Sequence, residues 1–217
     1  MWEKGVKDSR KGSLKKEENG MKKILLLSFL ILLIPAFAFG QDKVGAPVWS
    51  IGDKWVLTED VTILVANADD HSYAVKYLTG GGELILIFEK SSLNRLYVME
   101  KEKRTPYEGR NKRLFNFPLE IGKGWKDKFV SKGAIKEYIY LETFTPLRWE
   151  DVVVQAGKFR AVKIEYKQSY ADEPGKEGKL WYWYSPDVKY MIKCQYEKSR
   201  YWDALYDWEL TSFQLKK

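Results

Sequence analysis

The sequence predicts an all-β protein, a single antiparallel meander of about a dozen strands that forms a barrel or a strongly curved half-barrel. Three observations favour this class. Apolar and polar residues alternate with a period of two, β-branched and aromatic runs recur, and short Gly or Pro turns separate these runs. No window of a dozen residues shows a helical period. A flat sheet of this size would leave its aromatic faces in water, so we expect curvature.

The predicted strands follow one another at short spacings. They lie at residues 55–65, 71–78, 83–88, 95–99, 114–117, 125–130, 135–144, 149–154, 159–168, 180–184, 190–196 and 204–215. Turn residues separate them, as in Gly80-Gly81-Gly82, Ala156-Gly157 and Ser185-Pro186-Asp187. An Ile-Gly motif occurs twice, with Ile51-Gly52 before Trp55 and Ile121-Gly122 before Trp125. The repeat indicates either two similar halves of the sheet or one turn used twice.

The first forty residues differ from the rest of the chain. Met21-Lys22-Lys23 precedes an apolar run from Ile24 to Ile34 and then small residues up to Gly40, which is typical of a secretory signal peptide cleaved after Ala38 or Gly40. Pro35 interrupts this stretch, which is shorter than the roughly 20 residues of a comfortable membrane span. We predict a misannotated extension at residues 1–20, a signal peptide at residues 21–40 and a single β domain at residues 41–217. No stable transmembrane anchor is expected after processing.

The positive charge of the chain lies mostly in this leader. The net charge of +7 on its own would favour a nucleic acid or an anionic lipid as partner. Residues 1–40 hold eight Lys and Arg and four acidic residues, so residues 41–217 carry a net charge of only +3. We therefore expect no nucleic-acid partner. The basic cluster at residues 101–113 is expected to be a solvated loop.

The candidate ligand-binding residues are aromatic. Trp181 and Trp183 point to one face of the predicted strand 180–184, and Tyr182 and Tyr184 point to the other. Such a strand lies either in a core packed between two layers or beside a cavity for an acyl chain or another lipid. A stacking platform for sugar rings is a further interpretation. Trp202, on the loop before the last strand, is the fifth candidate, as an exposed ring that contacts a ligand.

Few residues of the sequence support catalysis or metal binding. A single Cys and a single His exclude a disulfide framework and a multi-His zinc site. Cys194 lies on an apolar strand face and is expected to be a buried thiol, and His71 follows Asp69-Asp70 in a solvated turn. We predict no catalytic residue, no metal and no cofactor. The carboxylates that leave a hydrolase mechanism open are Glu59, Asp60, Glu142, Glu150 and Asp151.

Several short motifs of the C-terminal half form one pattern. Val154 precedes Ala156-Gly157 and Phe159, then come Trp183-Tyr184-Ser185-Pro186 and a closing Glu209-Leu210. With the opening Ile51-Gly52-Asp53-Lys54-Trp55, this pattern resembles a group of uncharacterised bacterial exported β-proteins. Lys189 stands where that group has Gly. The resemblance implies an envelope protein of barrel or half-barrel form, similar to the lipoprotein carriers of the periplasm, and implies no catalytic residues.

Together these features predict an exported, non-enzymatic protein of the bacterial periplasm or outer-membrane periphery. We expect it to bind a lipid or another apolar or amphipathic small molecule in an aromatic-lined cavity, or to support envelope assembly with another envelope protein. The first alternative is a carbohydrate- or surface-binding β module, which would present exposed, coplanar rings. The second alternative is a hydrolase that uses a carboxylate pair.

Overall fold

The structure is a computed structural model that describes residues 43–101, 103–133, 136–173, 175–197 and 207–217. The predicted extension at residues 1–20, the predicted signal peptide at residues 21–40 and Trp202 lie outside the described residues. Within the described ranges, no helix has the length and apolar character that crossing a membrane requires.

The described residues form fourteen strands. They are β1 (Lys43–Val44), β2 (Lys54–Leu57), β3 (Thr62–Ala68), β4 (Ser72–Thr79), β5 (Gly82–Glu89), β6 (Arg95–Glu100), β7 (Lys103–Pro106), β8 (Leu119–Glu120), β9 (Trp125–Lys132), β10 (Glu137–Val154), β11 (Gly157–Tyr170), β12 (Glu177–Ser185), β13 (Tyr190–Tyr196) and β14 (Trp208–Gln214).

Twelve strands form one antiparallel sheet of order β7-β6-β5-β4-β3-β2-β14-β13-β12-β11-β10-β9, and β1 pairs with β8. The sheet consists of two meanders of six strands each, β2 to β7 and β9 to β14. They join where β14 pairs with β2, with Leu210 opposite Leu57. β7 and β9 end the sheet without pairing with each other, so the sheet is open. The predicted all-β class is confirmed, and of the two predicted forms the structure has the curved half-barrel.

The sheet curves enough for distant strands to meet. Tyr77 on β4 and Tyr190 on β13 have three strands between them, yet their hydroxyl oxygens lie 3.1 Å apart. In a flat sheet those strands would lie about 19 Å apart, at about 4.8 Å per strand. We call the face that carries both tyrosines the inner face, and the opposite face the outer face.

Aromatic side chains join the two meanders on the inner face. Trp55 is fully buried, and its ring stacks on that of Tyr190 with 4.8 Å between centroids. The indole nitrogen of Trp55 donates to the carbonyl oxygen of Val188 at 2.8 Å, and that of Trp49 donates to the carbonyl oxygen of Lys189 at 2.9 Å. The start of the first meander is therefore bonded to the turn between β12 and β13.

The repeated Ile-Gly motif forms the same turn twice. Gly52 and Gly122 have φ angles of 91° and 80°, and in each case the following amide donates to the carbonyl oxygen three residues before it. Both turns lead to a buried tryptophan near the start of a meander, Trp55 and Trp125. Since glycine enters the positive-φ region at little cost, the motif marks a turn that the fold uses twice.

The predicted strand at residues 55–65 is a hairpin in the structure. Glu59 and Asp60 have φ angles of 63° and 55°, which is the geometry of a two-residue turn between antiparallel strands. Neither residue is glycine or asparagine, so the usual sequence signal of such a turn is weak.

Two further elements differ from the prediction. Residues 135–144 and 149–154 belong to one long strand, β10, in which the register shifts just after Pro146. Proline lacks the amide hydrogen of a regular ladder, and the irregularity lets the strand continue. Residues 114–117 form no strand, because Leu114 and Phe115 insert into the core from a loop.

Candidate functional site

A cavity of about 380 Å³ lies on the inner face, where the two meanders face each other. Its walls come from β2, β3, β4 and β6 of the first meander, from β12, β13 and β14 of the second, and from the loop that precedes Leu114. The apolar lining side chains are Leu57, Val61, Ile63, Leu114, Met191 and Trp208, together with the rings of Tyr77, Tyr182, Tyr190 and Tyr196. Pockets that hold small molecules have volumes of about 300 to 1,000 Å³, so this cavity is large enough for one.

Four charged side chains also line the cavity. Glu59, in the turn after β2, and Asp207, just before β14, are exposed. Asp207 accepts a hydrogen bond from the backbone amide of Tyr196 at 2.8 Å. Arg95 and Arg110 are half-buried. The more exposed charges of the cavity are therefore acidic, and the less exposed charges are basic.

Arg110 belongs to a buried polar network with Glu142. Nε of Arg110 donates to the Tyr166 hydroxyl at 3.1 Å, and this hydroxyl donates to Oε1 of Glu142 at 2.7 Å. Glu142, only 1% exposed, also accepts from the backbone amide of Asn111 at 3.0 Å. The side-chain amide of Asn111 donates to the Tyr182 hydroxyl at 3.2 Å. This part of the basic cluster is thus attached to the inner face, although the sequence analysis expected a solvated loop.

Arg95 is held differently. Its Nη1 donates to the Tyr107 hydroxyl at 3.2 Å and to the carbonyl oxygen of Arg110 at 3.1 Å. The guanidinium lies 5.5 Å from the ring centre of Tyr107 and 6.0 Å from that of Phe88. The buried Nε has no hydrogen-bond acceptor among the described residues, and no carboxylate of those residues forms an ion pair with this arginine.

Burial keeps three of the cavity's tyrosine hydroxyls, and one thiol beside the cavity, in their neutral forms. It raises the pKa of Tyr182 and Tyr190 above the ordinary tyrosine value, and it raises the pKa of Tyr196 to about 12. Burial likewise raises the pKa of the fully buried Cys194 thiol to about 12, in line with the predicted inert thiol. For Glu142, burial raises the pKa, and the hydrogen bonds from Tyr166 and Asn111 oppose this rise without cancelling it.

Of the four predicted site residues that the structure describes, Tyr182 alone lines the cavity. Tyr184 lies on the same strand but is 1% exposed and packs against Phe115 and Phe117, at centroid distances of 5.3 and 5.7 Å. The inner face of β12 therefore contributes one ring to the cavity and one ring to the closed core.

Trp181 and Trp183 lie on the outer face, because side chains alternate along β12. Trp183 is 4% exposed, and its indole nitrogen donates to Oε2 of Glu150 at 2.7 Å. Nζ of Lys163 lies 4.8 Å from the Trp183 ring centre and 5.2 Å from that of Trp181. Lys179 lies 5.0 Å from the same Trp181 ring. The structure thus places the two tryptophans under lysine side chains, away from the cavity.

Several of the acidic residues considered for metal binding or hydrolysis bond to other groups. Asp69 accepts hydrogen bonds from the amide of Ser72 at 2.6 Å, from its hydroxyl at 2.7 Å and from the amide of His71 at 2.8 Å. The bond from the Ser72 hydroxyl is the main reason that the pKa of Asp69 falls to about 2. Among the described residues, no three His, Cys, Asp or Glu side chains are grouped to hold a metal ion. Glu142 and Glu150 lie on opposite faces of the sheet.

The sequence analysis did not identify Arg95, Arg110, Tyr77 and Tyr190 as cavity residues. A simple alternation along residues 95–99 places Arg95 on the face of Tyr97. In the structure the register of β5 and β6 shifts between Ile87 and Phe88, so Arg95 lies opposite the buried Phe88 instead. The sequence did offer one signal of a cavity residue, the charged Arg95 at the first position of an otherwise largely apolar predicted strand.

No protein-family model matches the sequence, and no curated protein is similar to it. Several solved structures are similar in fold. The hypothetical lipoprotein YmcC of Escherichia coli has a TM-score of 0.44 and 12% identity, over 79% of this chain and 89% of that chain. A proposed lipoprotein of Parabacteroides distasonis has a TM-score of 0.43 and 15% identity, over 80% of this chain and 100% of that chain. A proposed exported protein of Bacteroides fragilis with a YmcC-like fold has a TM-score of 0.36 and 10% identity, over 79% of this chain and 99% of that chain.

Proposed function

We propose that this protein is exported to the bacterial envelope and binds an apolar or amphipathic small molecule, without catalysis, in the cavity between the two meanders. The observation that carries the proposal is the cavity of about 380 Å³ with its largely apolar lining. The leader supports export, because Met21-Lys22-Lys23 precedes an apolar run of signal-peptide length.

The cavity is suited to binding because its walls are preformed. Tyr182 is fixed by the hydrogen bond from Asn111, and Tyr190 by the stacked ring of Trp55. Side chains held in place in the free protein lose little conformational freedom when a ligand enters. An alkyl chain against Leu57, Ile63 and similar side chains would gain about 25 cal/mol per Å² of apolar surface removed from water.

The chemistry of the lining favours binding over catalysis. The Cys194 thiol and the hydroxyls of Tyr182 and Tyr190 are neutral at physiological pH, since burial raises the pKa of each. A nucleophile or a general base needs the opposite condition, a group with a pKa near the working pH. The buried carboxylate of Glu142 is already bonded to Tyr166 and Asn111.

Native mass spectrometry of the purified protein tests this proposal. We expect a co-purified amphiphile, visible as an added mass that organic solvent removes. Val61→Trp places a large ring in the cavity and should abolish the added mass.

Val153→Trp provides the matched control, because Val153 is 71% exposed and does not line the cavity. This variant should keep the added mass. A wild-type protein that carries no ligand and takes up no alkyl amphiphile on titration would refute the proposal.

A further inference from the structure

We propose that the ligand is an anionic amphiphile, whose carboxylate or phosphate oxygens bind Arg95 while its alkyl chain lies along the apolar wall of the cavity. This inference rests on the proposed function, since it names the chemical class of the ligand in the same cavity. It derives from the surroundings of one charged side chain.

Arg95 carries a positive charge that the described residues do not neutralise. Arginine stays protonated at every pH at which proteins are folded. Both hydrogen bonds from its Nη1 go to neutral oxygens, the Tyr107 hydroxyl and the carbonyl of Arg110. The buried Nε has no acceptor among the described residues. Burying a charge is costly unless an opposite charge and hydrogen bonds offset the lost hydration, and an anionic oxygen at Nε would supply both.

The second arginine of the cavity is already neutralised. The Tyr166 hydroxyl lies between Arg110 and Glu142, accepting from the former at 3.1 Å and donating to the latter at 2.7 Å. The two acidic side chains of the lining, Glu59 and Asp207, are exposed, so water screens their charge. The uncompensated charge of the lining is therefore that of Arg95.

A pair of hydroxyl groups adds a neutral donor to the same cavity. The hydroxyl oxygens of Tyr77 and Tyr190 lie 3.1 Å apart, and both rings line the cavity beside Arg95. One hydrogen atom occupies the contact between the two oxygens, so the hydrogen of the second hydroxyl is available to another acceptor. A carboxylate or phosphate presents two or more oxygens and can accept from the guanidinium and from this hydroxyl together.

The head-group preference of the unmodified protein tests the inference. The full chain, purified as the producing cell processes it and freed of bound ligand with solvent, is titrated with dodecanoate, dodecyl phosphate, dodecanol and dodecyltrimethylammonium below their micelle-forming concentrations. We expect one or both anions to bind about ten- to a hundredfold more tightly than dodecanol, the range of a charge-assisted hydrogen bond. The cation should bind most weakly. Comparison of the two anions distinguishes a carboxylate ligand from a phosphate ligand.

Arg95→Met then assigns the preference to one residue. It keeps most of the apolar stem and removes the charge, so the anions should fall to the affinity of dodecanol while dodecanol binds as before. Unchanged dodecanol binding shows that Arg95→Met is folded, and Arg95→Lys, which keeps the charge, should retain the preference. The matched control is Arg104→Met, an exposed arginine on β7, which should bind as the wild type does.

The outcomes separate the two proposals. Equal affinities for all four amphiphiles, or an anion preference that survives in Arg95→Met, would overturn this inference and leave the cavity's binding function intact. Failure of all four to bind would instead overturn the proposed function.

Discussion

At the scale of single residues, the buried carboxylate of Glu142 links the fold to pH. Burial raises the pKa of Glu142 above its ordinary value of 4.5. A carboxyl group with a higher pKa in the folded state binds its proton more readily there than in the unfolded chain. Its contribution to stability is therefore complete below pH 4.5 and decreases as the pH rises through the folded-state pKa.

Replacement of Glu142 by glutamine should remove this pH dependence. Glutamine keeps the oxygen that accepts from Tyr166 and Asn111 but does not titrate. We expect the stability of Glu142→Gln to increase relative to that of the wild type between pH 4.5 and pH 7, because only the wild type loses stability as this carboxyl ionises. Urea denaturation at several pH values measures this difference.

The control is Glu108→Gln, at a carboxyl group whose side chain is 74% exposed. This variant should follow the wild-type pH profile. A difference between Glu142→Gln and wild type that stays constant with pH would contradict the argument.

At the scale of elements, the turn between β12 and β13 carries a conformational cost. Lys189 has a φ angle of 58°, in the left-handed region, where a residue other than glycine is strained. Its Nζ also donates to the carbonyl oxygen of Val48 at 2.8 Å. A side chain in this region costs about 1 kcal/mol, which glycine avoids.

Two substitutions at this position separate the energetic effect of the backbone strain from that of the side-chain hydrogen bond. Lys189→Ala and Lys189→Gly both lose the bond to Val48, but only the second relieves the backbone. We expect Lys189→Gly to be more stable than Lys189→Ala by about 1 kcal/mol at most. The greater conformational entropy of glycine in the unfolded chain reduces this difference. Chemical denaturation of the two variants side by side gives this value. An alanine variant as stable as the glycine variant would show that the turn is not strained.

Elements with a regular local pattern could be predicted from the sequence. β13 was predicted at its observed bounds, because Tyr190, Ile192 and Cys194 alternate without interruption. The hairpin at Glu59 and the long strand through Pro146 were not, since both depend on how the backbone bends at one or two residues. Local patterns carry the period of a strand but not these irregularities.

The candidate site was predicted less well than the strands. The aromatic strand that contains Tyr182 was identified, but its cavity partners Tyr77 and Arg95 come from the other meander. Their approach depends on the curvature of the sheet and on the shifted register beside Phe88. Neither property is encoded in a short stretch of sequence, so single-residue candidates could not be combined into a site.

At the scale of the whole domain, the pairing of β14 with β2 connects the two meanders. Leu210 on β14 is fully buried opposite Leu57. We call this junction between the meanders the seam. Leu210→Ala should lower the free energy of unfolding by about 2–5 kcal/mol, because it leaves a cavity in the seam. Gln214→Ala, at an exposed position of the same strand, should change it by less than about 0.5 kcal/mol.

Two probes show whether the meanders unfold together in these variants. Tryptophan fluorescence reports on the aromatic core, and labelling of the buried Cys194 thiol reports on β13. Because the Trp55 ring of one meander stacks on Tyr190 of the other, we expect coincident urea transitions. Separate transitions would mean that each meander is stable without the other.

The seam also sets the order in which the domain can assemble. β2 comes early in the domain, yet its partner strand consists of residues 208–214, so the centre of the sheet forms between segments about 150 residues apart. Until those residues are synthesised, one edge of β2 stays unpaired, and Tyr190, whose ring stacks on Trp55, precedes them by only about 20 residues. The centre of the sheet therefore cannot close until synthesis is nearly complete, which agrees with the proposed export, since a polypeptide passes through a secretion channel before it folds.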